Sequence, residues 1–248
     1  MTNQQQTALA PPRYVADSEP PVKLPEGASS GCSIGAGRTR METALVSRSD
    51  ANARMEQVLG QPPRLDPLPE DQIRDDAMAV IERMRERHDV SPDLPVHEIF
   101  ATLGKHPELL IAFLDFGMTL MGDTALAPRD RELAVLRTGW LCGAPYEWGE
   151  HVIIGKEEGL TSEEIEQITV GSSAPGWNAD DRAVLKAAEE LHSDAMISNE
   201  TWAALAARLD DSQLIELPML IGQYHKVAFV QNSLRFRTRE CNPGLSAR

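Results

Sequence analysis

The sequence has few of the features that mark secreted, metal-binding or membrane proteins. Its three cysteines, Cys32, Cys142 and Cys241, are odd in number and far apart, which fits neither a disulfide framework nor Cys-x-x-Cys metal spacing. No run of 18 or more apolar residues occurs, and no apolar run like that of a signal peptide is present. We therefore expect a cytoplasmic protein in a reducing compartment.

Basic clusters are also scarce. The net charge is −14, and because residues 1–68 carry equal numbers of acidic and basic side chains, the whole acidic excess falls on residues 69–248. Such an acidic surface repels phosphate backbones, and no Lys or Arg cluster with interleaved aromatic residues offsets it. We expect neither a nucleic acid nor a membrane as partner.

Residues 1–68 lack the periodic apolar residues that a packed segment needs. They are rich in Gln, Pro, Ser and Gly, a composition typical of unfolded segments. The sequence therefore predicts a disordered N-terminal tail over residues 1–68, a folded domain over residues 69–241 and a flexible C-terminus over residues 242–248.

The folded part has no convincing alternating strand pattern, whereas its apolar residues recur at helical spacing. Helices are predicted over residues 69–88, 96–104, 107–122, 161–170, 179–193 and 211–237, with a short one after Ser198 and a pair within 128–159. The most apolar of them, 107–122, is expected to lie at the centre. The predicted fold class is all-α.

The stretch from residue 128 to 159 carries the side chains best suited to acid–base chemistry. It predicts two helices, each starting with a proline, joined by a tight corner. Glu147 and His151 lie four residues apart on the second helix, so a carboxylate can accept a ring N–H and fix the tautomer of the imidazole. Glu132 projects from the edge of the apolar stripe of the first helix. These three residues could form a proton shuttle.

A simpler interpretation is that Glu147 and His151 form a surface pair on an acidic helix. Against it, Tyr146, Trp148 and Cys142 crowd the same corner. An isolated cysteine at the end of an apolar helix is typical of packing, so Cys142 is expected beside the site rather than in it. The residues alone leave both interpretations open.

The run RDRELAVLRTGWLCGAPYEWGEH resembles the carboxymuconolactone decarboxylase and alkylhydroperoxidase D-like superfamily, and the likeness extends over about residues 69–237. It implies a multihelical bundle that assembles as trimers or hexamers. In the peroxidase branch a Glu is followed, after eleven residues, by Cys-x-x-Cys-x-x-x-His. Glu132 and His151 match this pattern, but Ala144 and Glu147 stand at the cysteine positions.

Without a thiolate and its resolving partner, the dithiol route to peroxide reduction has no nucleophile. The resemblance therefore favours the decarboxylase branch, which uses protein acid–base groups and no cofactor. It implies a carbon–carbon lyase in which His151, Glu132 and Glu147 are catalytic. The reaction would be decarboxylation or proton transfer on a small carboxylated lactone or keto acid.

Several further residues are candidates for binding this small anionic substrate. Tyr146 could donate a hydrogen bond to an enolate oxygen, and Arg137, or else Arg131, could bind the substrate carboxylate. A buried Glu beside another Glu should have a raised pKa and could act as the acid. Trp148 and Cys142 would complete the near wall.

The last predicted helix supplies candidates for the opposite wall. The order Glu-Leu-Pro-Met-Leu at residues 216–220 repeats that of Glu-Leu-Ala-Val-Leu at 132–136. If this is an internal duplication, Tyr224 and His225 face the pocket from the other side. Buried structural roles are the alternative for both.

Three other functions stay open. Glu132, Glu147 and His151 could ligate iron or manganese, since carboxylate and imidazole suit both metals. The chain could have the alkylhydroperoxidase activity of its relatives despite the missing cysteines. It could also be a non-catalytic helical assembly protein whose tail recruits a partner.

Overall fold

The computed structural model describes residues 48–88, 90–122 and 124–248, and within these ranges it contains helices and no strand. Short 3-10 helices span Glu70–Gln72 and Gly244–Ser246. The prediction of an all-α fold is confirmed. None of the described helices is both long and apolar enough to cross a membrane. The α-helices are α1 (Arg48–Val58), α2 (Asp75–Arg87), α3 (Glu98–Leu103), α4 (Pro107–Met121), α5 (Pro128–Leu141), α6 (Pro145–Glu157), α7 (Ser162–Val170), α8 (Ala179–Asp194), α9 (Asn199–Ala206) and α10 (Asp211–Leu234).

Side chains at the helix starts explain most of the boundaries. Thr161 and Glu164 form the predicted capping box of α7, and Ser198 caps α9. Such caps satisfy first-turn N–H groups that have no partner within the helix. At the other end, α10 stops three residues before the predicted position because Arg235 adopts a left-handed conformation with φ of 61°.

Helix α5 is the centre of the fold, instead of the more apolar α4. Every residue from Asp130 to Trp140 is buried, and α5 packs against α6, α7, α8 and α10. Charged residues of α5 are neutralised by ion pairs with residues elsewhere in the chain, for example Arg137 with Glu189 on α8 and Asp130 with Arg208 in the turn after α9. By contrast, α4 packs against α2 in a second hydrophobic cluster and leaves Leu109 exposed.

Both ends of the described chain differ from the prediction. Residues 1–47 of the predicted tail lie outside the described residues, but α1 folds, and Ala51 and Val58 are buried. At the other end, the segment predicted to be flexible buries Leu245 and Ala247. The C-terminal segment contains the turn at Gly244–Ser246. Helix α1 packs against this turn, and the turn itself packs on α6. These ends gain order from contacts with other helices, which local composition does not reveal.

Candidate active site

Glu132 on α5 and His151 on α6 face each other inside the protein. The distance from Glu132 Oε2 to His151 Nδ1 is 2.7 Å, and both side chains are buried. The two helices approach closely at Gly155, where a Cβ atom would lie 3.0 Å from Leu160 and 3.3 Å from Leu136. Glu147 is buried as well, so the interpretation of Glu147 and His151 as a surface pair does not hold.

The second ring nitrogen of His151 faces Glu147, the residue one turn earlier on α6. His151 Nε2 lies 3.3 Å from Glu147 Oε1, and the other carboxylate oxygen accepts a 2.6 Å hydrogen bond from Gln231 Nε2. The edge of the imidazole meets Tyr224 at a centroid distance of 4.9 Å. His151 therefore bridges two carboxylates, as the spacing of the three residues suggested.

Arg131 extends this row of charges away from Glu147. Its Nε donates to Glu132 Oε1 at 2.9 Å, and a terminal nitrogen donates to Glu158 at 3.1 Å. Each oxygen of the fully buried Glu132 thus has a charged donor. Buried charges persist when they are paired and hydrogen-bonded in this way.

The pairing determines which group carries the proton. Burial lowers the pKa of His151, but the charge and hydrogen bond of Glu132, together with Glu147, outweigh it and raise that pKa to about 10. Burial raises the pKa of Glu132, yet His151 and Arg131 outweigh it and leave that pKa below its ordinary value. At neutral pH Glu132 is therefore a carboxylate and His151 an imidazolium. The prediction that a buried glutamate has a raised pKa is wrong for Glu132, and the proton of the pair resides on His151.

A cavity of about 210 Å³ lies next to Glu147. Apolar side chains from α2, α3, α4 and α10 form most of its wall, and Glu147 is the member of the Glu132–His151–Glu147 row that faces it. Among the described residues, its lining includes no lysine or arginine, whereas Glu147 and Glu150 both contribute. A bound molecule would therefore contact Glu147 first, with His151 and Glu132 behind it.

Two tyrosines also line the cavity, and their hydroxyl groups have different partners. Tyr224 donates to the sulfur of Met121 at 3.0 Å, whereas the Tyr146 hydroxyl lies 2.7 Å from His97 Nε2. Burial and neighbouring negative charge raise the pKa of each phenol above its ordinary value, so both stay protonated. A thioether is a weak acceptor. Tyr224 rather than Tyr146 is therefore the donor available to a ligand.

Arg137 and Trp148 do not reach the cavity, contrary to the prediction. Arg137 binds Glu189 at 2.9 Å and the carbonyl oxygens of residues 168 and 169, so it fastens the end of α7 to α5. Trp148 is fully buried against Trp140 and donates to the carbonyl of Ala247 at 3.1 Å. One residue along a helix is a rotation of roughly 100°, which turns Trp148 away from the face that Glu147 shares with His151.

Cys142 and His225 also lie away from the cavity. Cys142 follows the end of α5, where burial raises the pKa of its thiol to about 11, so the thiol is protonated at neutral pH. His225 stands beside Tyr224 in the chain, but its ring contacts His192 on α8. Of the two candidates on α10, only Tyr224 lines the cavity.

Gln231 is a site residue that the sequence analysis missed. It is buried, and it holds Glu147 by the 2.6 Å hydrogen bond although 84 residues separate the two. The available signal was its spacing: Gln231 lies seven residues after Tyr224, two turns along the same face of α10. No local motif identifies it.

The geometry argues against the iron or manganese site proposed for the same three residues. Both nitrogens of His151 face carboxylate oxygens at hydrogen-bonding or ion-pair distance. Because the two carboxylates face different nitrogens of the ring, one nitrogen of His151 and both carboxylates cannot meet at a single ion. The arrangement instead suits proton transfer, with an imidazolium linked to a carboxylate at the edge of an apolar cavity.

Comparison with known proteins places this arrangement in context. Residues 107–190 match the carboxymuconolactone decarboxylase family. No match was found among curated proteins. Among solved structures, the chain is similar to the AhpD core of a peroxidase-related protein from Ralstonia eutropha JMP134, with 18% identity and a TM-score of 0.60 over 73% of this chain and 94% of that one.

Two other solved structures share the fold. The debrominase Bmp8 in complex with 2,3,4-tribromopyrrole has 15% identity and a TM-score of 0.61, over 73% of this chain and 95% of that one. A protein of unknown function from Agrobacterium tumefaciens, related to AhpD, has 19% identity and a TM-score of 0.52, over 55% of this chain and 94% of that one.

Proposed function

Because the chain belongs to the carboxymuconolactone decarboxylase and AhpD-like superfamily, we propose that it is a cofactor-independent acid–base enzyme. One observation carries the proposal: Glu132, His151 and Glu147 form a buried row of ionisable groups whose last member faces an apolar cavity. Perturbed ionisable groups beside a cavity are characteristic of catalytic sites.

The proposed substrate is a small lactone or keto acid, and the reaction begins at the carbon next to its carbonyl group. Glu147 takes a proton from that carbon, and the electron pair of the broken C–H bond forms an enolate. The Tyr224 hydroxyl turns away from the Met121 sulfur and donates a hydrogen bond to the enolate oxygen. Where a carbon–carbon double bond lies next to that carbon, the enolate extends over it as a dienolate, and return of the proton from Glu147 to the far carbon of the dienolate completes an isomerisation.

Decarboxylation uses the same groups in a different order. The bond between the substrate carbon and its carboxylate breaks, carbon dioxide leaves, and the electron pair remains as the enolate. The carbon then takes a proton from Glu147, which has received it from His151. Glu132 keeps His151 charged before this step, since its negative charge is what raises the pKa of the imidazole.

The cavity also limits the substrate. Its volume of about 210 Å³ is below the roughly 300 Å³ at which pockets begin to hold drug-sized ligands. A carboxylated substrate would lose water of hydration there and lie near Glu147 and Glu150, with Arg137 engaged elsewhere. Desolvation and the nearby carboxylates both destabilise a bound substrate carboxylate and therefore favour its loss as carbon dioxide.

Two alternatives receive less support. For peroxidase activity, no cysteine among the described residues lines the cavity, and the Cys142 thiol is protonated at neutral pH. A non-catalytic assembly role does not explain the buried charges, because burying ion pairs usually brings little stability. The debrominase that shares the fold is solved with a small ring compound, tribromopyrrole. A ligand of similar size would suit the cavity of this chain.

The test is a panel of small carboxylated lactones and β-keto acids incubated with the protein in deuterated water. Carbon dioxide release reports decarboxylation, and deuterium in recovered substrate or product reports proton transfer. We expect Glu147→Gln to lower kcat by about a hundredfold or more, the usual size of a general acid–base contribution. The matched control is Glu157→Gln, an exposed carboxylate on the same helix, which should keep the rate.

Either of two results would contradict the proposal. One is that no compound in the panel gains deuterium or releases carbon dioxide with the wild-type chain. The other is that Glu147→Gln turns over as fast as Glu157→Gln. Peroxide reduction driven by added thiols would favour the peroxidase alternative instead.

The proposal extends to assembly and location. A trimer or hexamer is expected from the superfamily, and exposed Ile215, Met219 and Phe229 lie within one face of α10 and offer an apolar surface for it. Sedimentation measurements would give the assembly size, and a purely monomeric chain would reject this part. We keep the cytoplasmic location and the lack of nucleic-acid or membrane partners as predictions from composition.

A further inference from the structure

A second cluster of reactive side chains lies outside the cavity. Cys142 after α5, His192 in the last turn of α8 and His225 in α10 have potential ligand atoms within 4.8 Å of one another. None of the three lines the cavity, so the acid–base site does not account for them. They come from the end of α5, from α8 and from α10, and these three helices pack against one another.

The orientation of His225 is that of a metal-binding histidine. Its Nδ1 lies 2.8 Å from the carbonyl oxygen of Ile221. A carbonyl only accepts hydrogen bonds, so Nδ1 carries the hydrogen and the lone pair of Nε2 points at the cluster. A backbone carbonyl fixing the tautomer in this way is the usual support of a metal-ligating imidazole. His225 Nε2 in turn lies 3.0 Å from His192 Nδ1.

The donor set identifies the class of ion. A cysteine sulfur with two imidazole nitrogens suits zinc and related borderline ions, whereas magnesium and calcium prefer oxygen ligands. In a tetrahedral zinc site two histidine nitrogens lie about 3.3 Å apart, close to the 3.0 Å between the rings here. The nearby guanidinium of Arg137 is paired with Glu189, which offsets its charge.

We propose that Cys142, His192 and His225 bind one zinc-type divalent cation, and that the Cys142 thiol releases its proton to water as its sulfur binds the ion. The side chain of His192 is exposed, so it can move the few tenths of an ångström that separate the present nitrogen–nitrogen distance from that of a zinc site. A water molecule would take the fourth coordination position. The bound ion would link the ends of α5 and α8 to α10. Binding to the folded state alone would stabilise the protein by mass action.

The test uses the full-length chain, reduced, treated with a chelator and then titrated with Zn²⁺ or Co²⁺. Calorimetry with Zn²⁺ should give one site per chain. Co²⁺ should give the intense visible bands of tetrahedral coordination and a thiolate-to-cobalt charge-transfer band. We expect His192→Ala and Cys142→Ser to weaken binding by at least about tenfold, and Cys142→Ser to remove the charge-transfer band. The matched controls His106→Ala and Cys241→Ser alter exposed residues and should bind like the wild type.

Thermal unfolding provides an independent measurement. Zn²⁺ should raise the Tm of the wild-type chain and of both controls, but not that of His192→Ala, whose exposed substitution leaves the fold intact. The proposal fails if stoichiometric binding is absent, if His192→Ala binds as tightly as the wild type, or if Co²⁺ gives an octahedral spectrum. None of these measurements involves turnover, so their outcome is separate from that of the acid–base proposal.

Discussion

The protonation state of His151 is the residue property on which the proposed chemistry depends. Its pKa is raised from 6.5 to about 10 by Glu132 and Glu147, despite burial. We therefore predict that the ring stays protonated through neutral pH. NMR of the His151 ring carbons should show no titration near pH 6.5. A midpoint for His151 close to 6.5 would contradict the assignment.

The same shift makes stability depend on pH. Because the folded state holds a proton on His151 that the unfolded chain releases, this stabilisation is complete below about pH 6.5 and is lost as the pH rises through about 10. Glu132 acts in the opposite direction: its lowered pKa gives stability that is present above about 4.5 and lost as the pH falls through the lowered value. The two ranges overlap from weakly acidic to neutral pH.

Spacing along the sequence correctly placed some of the predicted site residues, but it gave wrong positions for others. Glu147 and His151 share a helix and a face, so their contact follows from the four-residue interval. Arg137 and Trp148 were misplaced because a motif gives residue types without the rotation of each helix about its axis. The sequence also could not show that Arg137 meets Glu189, 52 positions later.

Helix α6 depends on a glycine that lets the C-terminal segment pack against it. A Cβ atom at Gly149 would lie 1.7 Å from Asn242 Oδ1. Asn242 is buried, donates to the Tyr146 carbonyl at 2.9 Å and to Glu150 at 2.8 Å, and accepts from Gly244 N at 2.8 Å. Its amide therefore cannot move aside without breaking several hydrogen bonds.

We predict that Gly149→Ala lowers the free energy of unfolding by about 1–3 kcal/mol, the usual cost of overpacking. The matched control is Gly222→Ala in α10, where a Cβ would meet nothing within 4 Å. That substitution should stabilise the protein by up to about 1 kcal/mol, since alanine favours helix more than glycine does. Urea unfolding of both variants is the measurement, and an equal effect of the two would refute the argument.

Helix boundaries were largely predictable, but the central position of α5 was not. Caps and prolines gave the starts of α5, α6, α7 and α9 because these signals act within one turn. Hydrophobicity alone favoured α4 as the centre, because α5 carries several charged residues. They are buried because distant residues neutralise them, as Arg208 does for Asp130 at 2.7 and 2.9 Å.

The two ends of the described chain depend on the rest of the molecule for their order. Helix α1 reaches the corner between α5 and α6, where Arg54 Nε donates to the Gly143 carbonyl at 3.0 Å. The C-terminal turn packs against both α1 and α6. Neither end has a periodic apolar pattern of its own, so a composition-based prediction assigns both to unfolded segments.

We predict that deleting residues 242–248 destabilises the whole protein and disturbs the cavity. The deletion removes the acceptor of the buried Trp148 N–H, the buried Leu245 and the Asn242 hydrogen bonds to Tyr146 and Glu150. Loss of one buried leucine and one unsatisfied N–H alone suggests about 3–6 kcal/mol. Thermal unfolding followed by tryptophan fluorescence would measure this, because Trp148 lies under the deleted segment.

The control for the deletion is Ser246→Ala, an exposed substitution within the same segment, which should leave the Tm unchanged. Tyr146 and Glu150 both line the cavity, so the deletion should also weaken substrate binding at temperatures where the truncated chain is still folded. A truncated chain with the Tm of the wild type would mean that the C-terminal segment packs without stabilising the fold. In that case Gly149→Ala should also be nearly silent, because its predicted cost arises from the same contact.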